Sequence, residues 1–359
     1  MMKKALPKQL FSGFWKEGHV QGIAVDAARG FVYYSFTTIL LKTDFDGNPV
    51  GSVENLAGHL GCIQFDAKRN LVYGSLELKH DQIGKGIIAR IGYDPSQEDA
   101  FYAVCFDAGK IDRMRMNAER DDVMKAVWLR DVVDDYARTD PVSGEAHRYG
   151  CSGIDGTSLG PAFGLAPDAP EKLMIAYGVY ENRGRDDCNY QVIRQYDPSV
   201  FETYGKPLCQ SAPHHSGPEH SEAVYFLYTG NTVYGIQNLE YDAFSRNWLV
   251  SVYVGHREEF TNFPTFQIDG RIAPREEELR GRAGERGPVL TLAKAGEEGK
   301  QGIFGSFFPY GSTGIAAMGD GYFYFSIPES NKAEKSFCSR PTLYRLAPEN
   351  KALFLPVEE

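Results

Sequence analysis

Two short stretches place a histidine after a glycine and just ahead of an alternating apolar run: GHVQGIAVD at 18–26 and GHLGCIQFD at 58–66. A neutral imidazole can hold a metal, move a proton or bond to backbone. His19 and His59 are therefore candidate metal ligands, and His59 is also a candidate catalytic residue. The structural alternative is a hydrogen bond from one repeat to the next. Asp155 in GCSGIDG and Glu240 in QNLEYD follow the apolar residue of the same pattern, where the other copies carry Ala24, Gln64 and Ala316. A carboxylate buried there must be paired or bound to a cation. Asp155 and Glu240 are thus candidates for an acid/base pair or metal ligands, with a salt bridge to an arginine as the alternative. Glycoside hydrolysis needs two carboxylates roughly 5–10 Å apart, and these two are the repeat-equivalent pair.

Arg183 and Arg185 in NRGRDDCNY have the fork geometry that grips a carboxylate or phosphate, or they pair with the neighbouring Asp186 and Asp187. Gln21, Gln237 and His256 complete the candidate substrate-binding set. The run HHSGPEHSEAVYF (214–226) is rich in His and Glu, but its spacing matches neither H-E-x-x-H nor a zinc finger, and it reads as a polar connection. There is no G-x-S-x-G elbow, no P-loop and no G-x-G-x-x-G opening a helix. A nucleotide cofactor is not expected; a divalent cation of unspecified identity is.

These residues recur because the segments that carry them recur. QGIAVD (21–26), GCIQFD (61–66), SGIDGT (152–157), QNLEYD (237–242) and TGIAAM (313–318) are each followed by a Tyr- and Ser-rich run. Those runs are FVYYS, LVYGS, LMIAYG, WLVSVY and YFYFS. A third run ends at a turn: LLKTDFDG (40–47), ARIGYDPS (89–96), VIRQYDPS (192–199), TFQIDG (265–270) and LYRLAPEN (343–350). Fourth strands are expected in AFYAVCFD (100–107), PVLTLA (288–293) and ALFLPV (352–357). The links DAARG, DAKRN and DAFSRN read as hairpin turns, with Asp bonding nearby amides and Gly or Asn tolerating positive φ.

Four-stranded antiparallel units repeated in this way predict an all-β fold, a five-bladed β-propeller forming one domain over 1–359. The blades fall near 16–56, 57–110, 147–210, 233–295 and 310–359. Two charged insertions, 111–146 and 271–287, interrupt them; the first reads as an inserted helix or extended hairpin, the second as a solvated loop or short helix in blade four. Six blades is the rival count, with a degraded blade hidden in 108–150.

The aromatic and glycine content, 21 Tyr, 22 Phe and 38 Gly, suits short strands and tight turns rather than helices. A net charge of −10 argues against a phosphate-backbone partner. No stretch approaches 18 apolar residues, so no membrane span is expected. The start MMKKALPKQLFSGFW lacks an apolar run of leader length, which suggests a cytoplasmic protein, or a secreted one whose leader was removed. The six cysteines are scattered without a C-x-x-C pair and read as small buried hydrophobes.

The pattern GIAVD…FVYYS…LLKTD resembles the blades of NHL-like and lactonase-like β-propellers, a likeness of fold only. Five-bladed propellers include many carbohydrate-active enzymes, and the resemblance implies chemistry of that class at the channel mouth. The expected function is a hydrolase or lyase acting there on a sugar, a sugar acid or another small polar molecule. The alternative is a non-catalytic module that binds a glycan or protein through rim aromatics such as Tyr180, Tyr190, Phe260 and Phe263. Nothing in the sequence fixes the oligomeric state.

Overall fold

A computed structural model of the chain describes residues 6–56, 58–91, 98–178, 184–185, 187–209, 211–230 and 232–358. Each repeat folds into an antiparallel sheet whose inner strands are buried along nearly their whole length. Blade one consists of Val20–Asp26, Phe31–Phe36, Ile39–Asp44 and Pro49–Glu54, and blade two of His59–Asp66, Leu71–Leu78, Ala100–Asp107 and Met124–Trp128. Blade three is Ile154–Pro161, Glu171–Tyr177, Tyr190–Tyr196 and Ala223–Tyr228. Blade four has Ile236–Asp242, Asn247–Val252 and Thr265–Asp269, edged by Thr291 and Ala293 through bonds to Asp269 and Gln267. Blade five is Ile315–Ala317, Tyr322–Phe325, Thr342–Leu346 and Phe354–Pro356.

Each inner strand touches the next, and that of blade five returns to that of blade one. The ring closes with five blades, which excludes the six-bladed count. The residues suspected of hiding a sixth blade serve their neighbours instead. Met116–Asn117 runs parallel to the outer strand of blade one, and Met124–Trp128 is the outer strand of blade two, followed by the helix Arg130–Ala137. Near the N-terminus, Leu10 and Ser12 donate to the carbonyls of Pro341 and Ser339, which fastens the start of the chain to blade five. Among the described residues no helix is long and apolar enough to cross a membrane.

Two of the three turns are as read; in DAFSRN the positive φ falls on Arg246 rather than on the expected Asn247. Asp26, Asp66 and Asp242 accept the amides of Arg29, Arg69 and Ser245, and Gly30, Asn70 and Arg246 take φ of 75°, 56° and 63°.

Three strand expectations need correction. The run 89–96 was expected to be the third strand of blade two. Instead Gln82–Ile91 is a helix, 92–97 lie outside the described residues, and Ala100–Asp107, expected as the fourth strand, is the third. The apolar residues Ile83, Ile87 and Ile91 recur every fourth position in the sequence, a helical period that the likeness of GYDPS (92–96) to QYDPS (195–199) obscured. The charged stretch 271–287 was assigned to blade four as a loop or short helix. It forms a hairpin, Arg275–Glu278 with Arg286–Val289, and adds to the edge of blade three through the parallel pair Phe226 and Val289. PVLTLA is therefore divided between two blades.

At the axis the inner strands crowd one another. A Cβ on Gly22 would lie 2.7 Å from the Ile63 amide nitrogen, so nothing larger than hydrogen fits there. Blades one and two are each tied to the next blade by a serine, the fifth residue of the second strand. Ser35 Oγ donates to Gly61 O at 2.7 Å, and Ser75 Oγ to Asp155 O at 3.2 Å. In blade three Ala176 holds that register position.

Ser35→Ala leaves a buried carbonyl without this donor and is expected to cost about 1–2 kcal/mol, measured by urea unfolding. Ser75→Ala should cost less, because its bond is longer.

Candidate active site at one channel mouth

In blades one, three and four the inner strand begins with a register break, between Val20 and Gly22, Ile154 and Gly156, and Ile236 and Asn238. The extra residue in each case is Gln21, Asp155 or Gln237, and all three line one cavity of about 420 Å³. A bulge re-aims a side chain, and here it turns three polar groups to the same mouth. Asp155 is therefore level with Gln21 and Gln237, three positions from the register expected for it. Glu240 sits deeper, in a separate cavity at the opposite end of the channel. The proposed Asp155–Glu240 pair does not exist; it is corrected by the bulge in blade three, which shifts the apparent match of Ile154 with Ile23.

His59 begins the inner strand of blade two, directly across from Glu77. Lys79, two residues on, shares the Glu77 face of its strand. Lys79 Nζ lies 2.8 Å from Glu77 Oε1 and 3.3 Å from Asp81, and donates to Ser152 O at 2.7 Å. Both members of the Lys79–Glu77 pair are 4% exposed. The other Glu77 oxygen accepts the Ile154 amide at 2.8 Å. Gly153 allows that approach: at its φ of +156°, a Cβ would stand 2.3 Å from Glu77 Oε2.

Gln21 bridges the two histidines. Its amide nitrogen lies 2.7 Å from His59 Nε2, and its side chain also bonds His19. With Gln21 donating to Nε2, the His59 proton resides on Nδ1, which faces Asp155 Oδ1 at 3.4 Å and Glu77 Oε1 at 3.7 Å. His59 Nδ1 and Asp155 Oδ1 are both buried and make no hydrogen bond with a described residue. Burial, with the nearby His19, Lys79 and Arg90, holds His59 well below the usual imidazole range. His19 is lowered too, by burial and then by Arg90. By accessible surface His19 is nonetheless exposed, and its side chain borders the cavity.

Burial and the Glu77 charge raise Asp155, against the pull of Lys79 and Gln237. Burial also pushes Glu77 up, while Lys79 and the Ile154 amide pull it down. For Lys79, burial works against the charge but Glu77 and Asp81 outweigh it, so its value rises. One ammonium thus serves several carboxyls. Glu77 has the direct contact and the amide and takes the charge; Asp155 has neither and keeps its proton.

The helix Gln82–Ile91 covers this mouth. Asp81 Oδ1 accepts the Gly84 amide at its start, and Gln82, Ile83, Gly86, Ile87 and Arg90 present one helical face to the cavity. Arg90 forms no ion pair among the described residues. Tyr234 and Tyr253, ring centroids 5.3 Å apart, close the far wall, and burial pushes the Tyr253 hydroxyl up to about 12.

Of the residues singled out by sequence, His19, Gln21, His59, Asp155 and Gln237 meet here. Arg185 does not bind substrate: it is buried against Asp187 Oδ1 at 2.8 Å and the carbonyls of Ala146 and His147. Arg183 lies outside the described residues, as does Tyr180. His256 is exposed and is not part of the cavity wall. Tyr190, Phe260 and Phe263 are buried in the core and form no aromatic rim. Although His19 and His59 come within 6.2 Å, ring to ring, no group of three His, Cys, Asp or Glu among the described residues is arranged to hold a metal ion. The histidines of 214–226 pair locally, His215 with Glu98 and His220 with Asp131. Glu77, Lys79 and Arg90 were missed; the alternating ELK with its buried face was the signal for the first two.

No family model matches this chain, and no curated protein does. Among solved structures, the holo PQQ domain of a pyranose dehydrogenase from Coprinopsis cinerea is 10% identical, over 89% of this chain and 81% of that one, with a TM-score of 0.38. A hydrazine synthase from Kuenenia stuttgartiensis is 9% identical, over 92% and 84%, also with a TM-score of 0.38. Neither likeness carries an argument about this chain's chemistry.

Two outcomes test the electrostatics. Lys79→Met strands buried carboxylates and should cost about 3–5 kcal/mol, while Lys79→Met with Glu77→Leu should recover much of that loss; urea unfolding of both variants checks it. The folded protein holds the Asp155 proton more tightly than the unfolded chain. Stability from this group is full below the ordinary carboxyl value of 3.8 and is lost as pH rises through the raised value. Thermal melts should therefore show Asp155→Asn gaining on the parent protein as pH rises from about 5 to about 8.

Proposed function

We propose that the chain is an enzyme of the hydrolase or lyase type that moves protons on a small anionic polyol, of the size and chemistry of a sugar acid, bound at the His19–Asp155 mouth. The observation that carries this reading is the pairing of the Asp155 carboxyl, whose buried Oδ1 makes no hydrogen bond with a described residue, with the His19–Gln21–His59 chain, both imidazoles lowered, along one cavity wall. Buried polar atoms left without partners are costly to keep, and a bound ligand relieves the cost.

The cavity divides the work. Arg90, free of any protein ion pair among the described residues, offers a guanidinium fork to a substrate carboxylate. Gln21, Gln237 and the Tyr253 hydroxyl are donors and acceptors for substrate hydroxyls, and the Tyr234 and Tyr253 rings suit the C–H face of a pyranose. Asp155, protonated, is the general acid that gives its proton to a leaving oxygen. His19, which holds Gln21 with one ring nitrogen, is the base through the other, and His59 keeps Gln21 in place. In an elimination, His19 takes the proton α to the substrate carboxylate, the β C–O bond breaks, and the departing oxygen takes the Asp155 proton. No step requires a metal.

The test is binding and turnover over a panel of uronates, aldonates and short oligouronides. Asp155→Asn should keep binding and lower kcat by about 10²–10⁴-fold, as expected for a lost general acid. Arg90→Ala should raise KM about tenfold or more with a smaller change in kcat. Binding without turnover across the panel would make this a receptor site and overturn the enzymatic reading.

A further inference from the structure

The opposite end of the channel holds a second cavity, about 240 Å³, between the far ends of the inner strands. Its wall mixes the apolar Ala24, Ala316, Ala317, Phe65 and Met318 with the polar side chains of Gln64, Tyr241 and Glu240, of which Glu240 is the one carboxyl. That carboxyl is 4% exposed. Its Oε1 accepts the Ala317 amide at 2.9 Å, and its Oε2, buried, makes no hydrogen bond with a described residue. The charged group acting on it is Asp242, of like sign, while the Ala317 amide and a hydrogen bond with the Gln64 side chain pull its value down. Burial pushes Glu240 up to about 8.

We propose that this cavity is a second ligand site, for a small organic ammonium ion whose head takes the place of the Glu240 proton and whose short apolar tail lies against the alanines and Met318. A bare metal ion is poorly served, because calcium or magnesium wants six or more oxygens and the wall offers one carboxylate. An anion meets a carboxyl and a chain of net charge −10. An ammonium N–H satisfies Oε2, its charge compensates the carboxylate, and its methylenes replace water on apolar wall. At the equivalent register positions of blades one and five the chain has Ala24 and Ala316, which leave the space the tail would fill. Binding releases one proton from Glu240 to solvent and breaks no other bond. Apparent affinity therefore rises with pH until the carboxyl is fully ionised.

Isothermal titration of the full chain with n-butylammonium, in two buffers of different ionisation heat near neutral pH, tests this. Expected are one site per chain, close to one proton released, and at least about 30-fold weaker binding in Glu240→Gln. Ala316→Leu, which keeps the carboxyl and fills the space, should weaken binding comparably, while thermal melts establish that both variants are folded. Arg90→Ala should leave butylammonium binding unchanged, which separates this site from the one proposed at the other mouth. Absence of binding, equal affinity for n-butanol, or full affinity in Glu240→Gln would each overturn the proposal.

Discussion

Crowding at the axis governs this molecule. Five inner strands converge so closely that Gly22 has no room for a Cβ beside Ile63, and a Cβ on Gly61 would fall 2.4 Å from Ser75 Oγ. At that waist the chain uses hydrogen, a hydroxyl or a thiol: Cys62 Sγ donates to Thr157 O at 3.4 Å, and the Asn238 amide reaches Gln21 O at 2.9 Å. Larger polar groups have to move outward along the axis. The bulges at Gln21, Asp155 and Gln237 do this at one mouth, and Glu240 lies beyond the waist at the other. The sheet geometry that closes the ring thus also separates the two cavities and keeps the carboxyls of Asp155 and Glu240 from acting together.

The electrostatics of the first mouth follow from that confinement. Water is largely excluded from the second strand of blade two, so Glu77 and Lys79 must satisfy each other. The pair then adds to what burial sets. Burial first, and then the charges of His19, Lys79 and Arg90, lowers His59; burial first, and then the Glu77 charge, raises Asp155. His19, the proposed base, is lowered by burial and then by Arg90. A neutral base and a protonated acid on one wall are the complementary states that proton transfer needs.

The repeat was legible because hairpin chemistry is local. Asp26, Asp66 and Asp242 each fold a turn from within their own few residues, so blade boundaries show in the letters. The serines of FVYYS and LVYGS were equally visible, although their role as ties between blades needed coordinates: Ser35 bonds to a residue 26 positions away. His19, Gln21, His59 and Gln237 were found because they stand at equal places in the repeat. Asp155 was found for the wrong reason. Blade three replaces the short Asp turn with the long connection 162–170, and without that anchor the match slipped by three residues, pairing Asp155 with Glu240. For Arg185 the sequence offered a ligand fork or a pair with its own aspartates, and the structure shows the second, with Asp187 at 2.8 Å. The helix 82–91 was hidden because the letters GYDPS after it match QYDPS of blade three, and Arg90 was hidden with it.

The two histidines show how a repeat acquires a site. Duplication alone would give five equal mouths' worth of side chains around the axis, and a symmetric ring has no preferred orientation for a small asymmetric ligand. Here the copies have diverged in a particular arc. Blades one and two keep His19 and His59, blade three contributes the acid, blade four contributes Gln237 with Tyr234 and Tyr253, and blade five presents Thr313 bonded to Ser326 rather than to the cavity. The covering helix grows from blade two, beside the buried ion pair, so the cation it carries enters where the carboxyls are densest. Arg90 forms no ion pair with a described residue, since Lys79 already holds Glu77. Under the proposed reading the guanidinium takes the ligand's charge, which sets the anionic end of that ligand under the helix and its reacting carbon toward His19 and Asp155.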